Sequence, residues 1–149
     1  MTPFAAHLPD PDLQAEFYAD VPVKRLVAWV ADTILIALIS LLIVPFTAFT
    51  GLFFFPLLML VVGFIYRVTT ITNRSATWGM RLMAIEFRAS NGERFGFGLA
   101  VMHTLGLSIS FAMPLLQLIS IVLMLTTARK QGLTDHVLGT VALNRAAAF

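Results

Sequence analysis

One carboxylate stands where a charge is expensive. Asp32 is the only charged residue between positions 26 and 66, a stretch otherwise built from aliphatic, aromatic and small side chains. In a membrane helix beginning near residue 23, it would lie roughly 13 Å deep at 1.5 Å per residue. An ionised acid there costs at least roughly 2.5 kcal/mol, so it requires a partner, water or a proton. Arg25 precedes it by two helical turns and shares its face. Their axial separation of roughly 10 Å is too long for a firm pair and leaves room for a third group between them. Asp32 is therefore open to three readings: a structural residue bonded to a neighbouring helix, a direct participant in ion or solute movement, or a contact for lipid or a partner. His103 is a candidate proton carrier, or else an interfacial histidine bonded to a carbonyl. Asp135-His136 has the composition of a metal or triad fragment, but adjacent side chains point different ways and no serine motif accompanies them. Cysteine is absent, which excludes disulfides, thiolate zinc sites, iron–sulfur ligation and cysteine nucleophiles. With no nucleophile–base or metal constellation in view, the expectation is a protein that is not an enzyme and takes no cofactor or metal.

The elements that must position these groups follow from the apolar runs. The chain has 149 residues, of which 58% are hydrophobic and 12% charged, half the charge of an ordinary soluble domain (roughly 25%). Lipid is the solvent that tolerates this balance. Residues 26–66 are long enough for about two crossings of about 20 residues each, and Pro45, Gly51 and Pro56 mark the turn between them. The spacing predicts spans over residues 23–44 and 52–68. Residues 1–22 read as a retained acidic polar tail, mobile around Pro9 and Pro11, and not as a signal peptide, because they lack a basic start. After the second span comes a polar interlude with Arg74, Arg81, Arg88 and Arg94 against Glu86 and Glu93. Met83, Ile85 and Phe87 alternate there with polar or small residues, and Asn91-Gly92 follows. A small β-hairpin with Phe95 and Phe97 on its second arm is the economical reading. Residues 95–128 again carry no charge beyond His103. One crossing over residues 105–126 is the default, and a pair of half-helices divided at Pro114 is the alternative. The expected fold is thus an all-α membrane protein of about three transmembrane helices, with a small cytoplasmic β-hairpin-like insertion between the second and third. Residues 144–149 form a short C-terminal tail. Gly96-Phe97-Gly98 lacks the strand–helix context of a nucleotide loop, and the net charge of +2 is too small and scattered for nucleic-acid binding.

Three segments carry a resemblance. Arg25-Leu26-Val27-Ala28-Trp29-Val30-Ala31-Asp32 looks like the opening signature of the RDD family of small bacterial membrane proteins. Thr77-Trp78-Gly79-Met80-Arg81-Leu82 is similar to that family's central segment. Arg129-Lys130-Gln131-Gly132-Leu133-Thr134-Asp135, followed by Gly139-Thr140-Val141, resembles its closing motif. Their order and spacing agree over about residues 21–143. The resemblance implies a bacterial inner-membrane protein with about three helices and a role often assigned to transport. It nominates Arg25, Asp32 and Asp135 as signature positions, a candidate functional or structural polar network; Thr77, Gly79 and Arg81 of the central segment, and His103 from its place in the last apolar stretch, are secondary candidates. Relatives often carry arginine where this chain has His103, so a role that needs a permanent cation there is not expected.

Orientation follows from lysine and arginine. Lys24 and Arg25 before the first span, and the arginines of the interlude, put the N-terminus and the interlude in the cytoplasm. A single third crossing would carry Arg129 and Lys130 outside; a returning segment would bring them back. A joint Arg25–Asp32–Asp135 site in one subunit requires the second arrangement, or a tail that folds back. Two functions are expected. The first is assisting or performing ion or small-solute transport as a homo-oligomer or with a membrane-protein partner, since about three helices hardly enclose a pathway. The other is a non-transport accessory or assembly role, in which the basic interlude docks on anionic lipid or another subunit.

Overall fold

The computed structural model describes residues 8–145. Two of its helices are long and apolar enough to cross a bilayer. The first, α1 (Val21–Ile43), begins after a left-handed Asp20 with Pro22 in its first turn. The second, α2 (Phe55–Arg74), opens on Pro56 and ends at a left-handed Ser75. Between them, two 3-10 turns, Val44–Thr47 and Thr50–Leu52, reverse the chain without any charge. Threonine hydroxyls help to satisfy the backbone of this turn. Thr47 Oγ1 donates to the Val44 carbonyl at 2.7 Å and accepts the Gly51 N–H at 3.0 Å, while Thr50 Oγ1 donates to the Thr47 carbonyl at 2.6 Å. Internal satisfaction of this kind is what a turn beside hydrocarbon needs.

The faces of α1 are inverted relative to a soluble helix. Its buried residues past the first turn are Ala28, Asp32, Ile36 and Ser40, a stripe spaced by four, whereas Leu26, Val30, Ile34, Leu38 and Leu42 are exposed. Small and polar side chains face protein and large apolar ones face outward, the pattern of helices that associate within lipid. Gly63 of α2 lies against Ile36, at 3.4 Å from where a Cβ would stand.

After α2 come α3 (Trp78–Leu82) and β1 (Ile85–Arg88). Then follow α4 (Phe97–Ala112), α5 (Pro114–Thr126), α6 (Leu133–Leu138) and β2 (Val141–Asn144). The expected span over residues 105–126 is not one straight helix: α4 and α5 are bent by 117°. Proline explains the break, because it lacks an N–H and drives the preceding residue, here Met113, into an extended conformation. Counted as one broken span, the pair makes up to three candidate crossings.

The interlude differs from the expected hairpin. Its turn forms, with Gly92 left-handed and the Ala89 N–H donating to the Glu93 carbonyl at 2.8 Å. The second arm does not pair: Phe95 gives its N–H to Ser75 Oγ at 2.9 Å, and Phe97 begins α4. The partner of β1 is β2, antiparallel, with Ile85 opposite Asn144 and Arg88 opposite Val141. Ser75 clips the chain further, its backbone carbonyl accepting from Phe87 N–H and its hydroxyl donating to Phe87 O at 2.6 Å. Period-two patterning identified a strand but could not say which strand it would meet.

The stretch before α1 is also seated, contrary to the mobility expected around Pro9 and Pro11. Tyr18 is buried with Val141 and Leu143, and its hydroxyl donates to the Pro9 carbonyl at 2.8 Å. Asn144 Nδ2 donates to the carbonyls of Glu16 and Ala19 at 2.8 and 2.7 Å. Residues 1–7 and 146–149 of the expected tails lie outside the described residues.

One close approach fixes α3 on α1. A Cβ on Gly79 would stand 2.3 Å from the Ala28 carbonyl oxygen and 2.8 Å from Asp32 Oδ1. Gly79→Ala should therefore destabilise the protein by about 1–3 kcal/mol, the range for overpacking. Gly98→Ala, which meets nothing within 4 Å, should not. Thermal unfolding of both variants in the same detergent checks this, and equal melting temperatures would remove the proposed clash.

Candidate functional site

Two carboxylates on or against α1 organise the polar groups. The first is Asp32, which is 2% exposed. Its Oδ1 accepts from the Tyr66 hydroxyl at 2.6 Å and from the Gly79 N–H at 2.9 Å, and its Oδ2 accepts from the Thr77 hydroxyl at 2.6 Å. The Arg67 guanidinium stands 3.9 Å from Oδ2, beyond hydrogen-bond distance. This arrangement completes α3. A short helix presents unpaired N–H groups at its start, and here each has a side-chain acceptor. Trp78 N–H donates to the Tyr66 hydroxyl at 3.2 Å, Gly79 N–H to Asp32, and Met80 N–H to Thr77 Oγ1 at 3.2 Å. Asp32 thus ties the Thr77–Leu82 segment to the middle of α1.

The second carboxylate is Asp135, with no exposed surface. Its Oδ2 accepts from Arg25 Nη1 at 2.6 Å and from the Gly132 N–H at 3.1 Å. Its Oδ1 accepts from the Thr140 hydroxyl at 2.8 Å and faces His103 Nε2 at 2.9 Å. The closing segment makes the cup that holds it. Gly132 precedes α6, a left-handed Gly139 ends it, and the Thr140 N–H returns to the Asp135 carbonyl at 2.9 Å. Aromatic rings wall the pair: Arg25 Cζ lies 5.5 Å from the Phe87 centroid, and the His103 ring lies 4.3 Å from Phe87 and 5.7 Å from Phe95. Burial opposes ionisation of Asp135. The Arg25 charge, with the His103 hydrogen bond, outweighs it and holds the carboxyl well below the usual carboxylate range. As an ionised acceptor, Asp135 requires the proton on His103 Nε2.

The residues nominated by the sequence therefore divide. Arg25, Asp135 and His103 meet directly; Asp32, Thr77 and Gly79 form a separate cluster; Arg81 joins neither, and its Nε is buried with no partner among the described residues. Arg25 does not bridge to Asp32. Both clusters nevertheless face one cavity of 410 Å³, lined in part by Arg25, Asp32, Arg67, His103, Thr104 and Gln117. Sequence reasoning passed over Arg67, Tyr66 and Thr140. The signal for the first was available: an arginine near the C-terminal end of the second span is the natural counter-charge for an acid in the first. His136 turns away from Asp135, its Nδ1–H donating to the Gly132 carbonyl at 2.8 Å. Among the described residues, no three His, Asp or Glu side chains converge as metal ligands.

The depressed acidity of Asp135 sets the direction of a pH effect. Stabilisation from a carboxyl held low in the folded state is complete above its ordinary value, about 3.9, and is lost as pH falls through the folded value. Asp135→Asn should cost about 3–5 kcal/mol at pH 7, the range for leaving a buried partner charge uncompensated. The gap between the two proteins should narrow only below about pH 4. Calorimetry in detergent across pH 3–8 measures it, and a gap that closes near neutrality would contradict the assignment.

Neither the curated proteins nor the solved structures contain a match to this chain. A family model, described as the RDD family, matches residues 20–139. That span takes in the Arg25, Asp32 and Asp135 positions and, apart from Thr140, the clusters built on them, and the chain belongs to the RDD family.

Proposed function

We propose that this chain is a multi-pass inner-membrane protein that assists or performs movement of an ion or small solute, as a homo-oligomer or with a membrane partner. The observation that carries the reading is the cavity beside α1, at the depth of Asp32, with two guanidinium groups and His103 on its wall. Charged and polar groups are rare at such depth and mark pathways or binding sites when they face a cavity. The foothold for a solute is Arg67 in place of Asp32, whose oxygens are occupied in holding α3. That same occupancy favours a second reading, an accessory or assembly role in which Asp32 is structural.

In this proposal, α4 and α5 enter the membrane and return. Lys24 Nζ donates to Asn144 Oδ1 at 2.7 Å, and the Arg145 N–H donates to the Ala84 carbonyl at 2.7 Å. These bonds, with the β1–β2 pairing, gather the start of α1, the interlude and the tail at one end of the molecule. Every Lys and Arg except Arg67 belongs to that end, while the turn between α1 and α2 has none. By the positive-inside rule that end is cytoplasmic, which removes the conflict that a single third crossing would create.

The cysteine-free chain gives a clean test of orientation. An impermeant thiol reagent applied to intact cells should label Phe53→Cys, in the turn after α1, and spare Val137→Cys in α6; labelling of the latter from outside would refute the returning segment. For function, purified protein in proteoliposomes should conduct one of a panel of monovalent ions, protons or small organic ions. Arg67→Gln should lower that flux at least tenfold while keeping the melting temperature. Absence of flux from the wild-type protein, with a stable partner recovered in mild detergent, would decide for the accessory role.

A further inference from the structure

We infer that the cavity between α1 and the α4–α5 pair binds an anionic amphiphile with a single hydrocarbon chain, its head on Arg67 and its tail along the apolar wall. This deepens the proposed function, because it takes that cavity as the functional one and names what occupies it.

The head-group chemistry comes from polar atoms that the fold leaves without partners. The Arg67 side chain is only 14% exposed and has Asp32 at 3.9 Å, yet its guanidinium donates no hydrogen bond among the described residues. A guanidinium offers five N–H donors in a planar fork matched to carboxylate or phosphate oxygens. Asp32 does not take up that capacity, since Tyr66, Thr77 and Gly79 already hold its two oxygens. Arg25, the other guanidinium on the wall, is bonded to Asp135. Thr104, 1% exposed, lines the same cavity with an unpartnered Oγ1, and Gln117 Oε1 is likewise buried without a partner. A hydrocarbon occupant would leave the Arg67 and Thr104 donors unsatisfied in a low-dielectric site, which is costly. An oxyanion head accepts from Arg67 and from the Thr104 hydroxyl together.

The tail follows from the rest of the wall. Trp29 and Phe111 stack with centroids 5.3 Å apart, and Leu107, Ile121 and Met124 continue the apolar lining. Access is sideways: Leu26 on α1 and Leu125 on α5, both lining residues, are about 60% exposed on the surface that faces hydrocarbon. A volume of 410 Å³ lies at the lower end of the small-molecule range, roughly 300–1,000 Å³, suited to one chain. A small inorganic anion would satisfy the Arg67 and Thr104 donors and leave the apolar wall unused. An amphiphile uses both.

Trp29 reports on the cavity directly. Trp78→Phe leaves it as the sole tryptophan, and the protein is placed in nanodiscs of zwitterionic lipid. The probes are dibromostearate, dibromostearyl phosphate and dibromostearyl alcohol, which share a quenching chain and differ in head. Saturable quenching by both anions is expected, with a midpoint at least tenfold below that of the alcohol. Excess acetate or inorganic phosphate should not displace them. Arg67→Gln should raise the anion midpoint at least tenfold and Thr104→Val about threefold. A tenfold shift corresponds to about 1.4 kcal/mol. Should Arg67→Gln fail to fold, Leu107→Phe, which narrows the wall and leaves Arg67 intact, must raise the midpoint for every chain-bearing probe. Equal quenching by alcohol and acids, displacement by inorganic phosphate alone, or a midpoint unmoved by the variants would overturn the inference. Flux in proteoliposomes without saturable quenching removes this ligand and leaves the transport reading standing; saturable quenching without flux does the reverse.

Discussion

The Asp135 carboxylate ties its own closing segment to two stretches far from it in the chain. Arg25 comes from the first turns of α1, His103 from α4, Thr140 from the lead into β2, and Gly132 from the turn before α6. A carboxylate with no exposed surface is stable only with its charge matched and its lone pairs bonded; Gly132 and Thr140 bond it locally, but the matching charge comes from Arg25, which no local element could supply. The consequence reaches the whole fold. Arg25 and Asp135 can touch only if the chain returns after α5 to the end of the molecule where α1 begins. The bend at Pro114 and the β1–β2 pairing are the two devices that bring it back.

Asp32 plays the matching role one step deeper. It supplies an acceptor to the start of α3, a helix of five residues too short to be stable alone. With Tyr66 and Thr77 it covers three otherwise orphaned N–H groups. Gly79 is then the only residue type that lets the α3 backbone approach Ala28 and Asp32 so closely. The acid, the threonine and the glycine are therefore one structural unit, although 45 positions separate the first two. An acid in a membrane helix is usually read as a site of transport; here its company accounts for it.

Much of this was legible in the residues. The apolar runs gave α1 and α2, and the charge-free link with Pro45, Gly51 and Pro56 gave the turn, whereas the break at Pro114 stood only as the alternative to one crossing over residues 105–126. The three similar segments nominated Arg25, Asp32, Asp135, Thr77 and Gly79, the acids of both clusters and some of their partners. What did not come through was pairing. The alternation around Ile85 and Phe87 identifies a strand, but an antiparallel partner more than 50 residues later leaves no local trace, and the nearer Asn-Gly turn suggested a hairpin instead. Arg25 and Asp32 share a helical face, which made them look like one site; burial and distance assign them to different partners. Arg67 and Tyr66 were overlooked because they fall at the edge of an apolar run, where polar residues are ordinary unless another helix gives them a target. The N-terminal stretch looked loose by composition, yet Tyr18 finds a place against Val141 and Leu143, a contact that depends on a strand at the other end of the chain.

Sorting polar side chains by whether the fold uses them separates architecture from activity. Asp32, Asp135, Thr77, Tyr66 and Thr140 are fully engaged in joining segments, and removing any of them disturbs the scaffold before it disturbs anything else. Arg67, Thr104 and Gln117 are not engaged in that way, although each has been carried into or beside hydrocarbon at an energetic cost. Loss of these three groups leaves the joints of the scaffold intact, so variants at these positions read out binding where variants at the acids read out folding. In a chain whose most conspicuous charges are structural, the groups that the fold does not use are the better guide to what the protein holds.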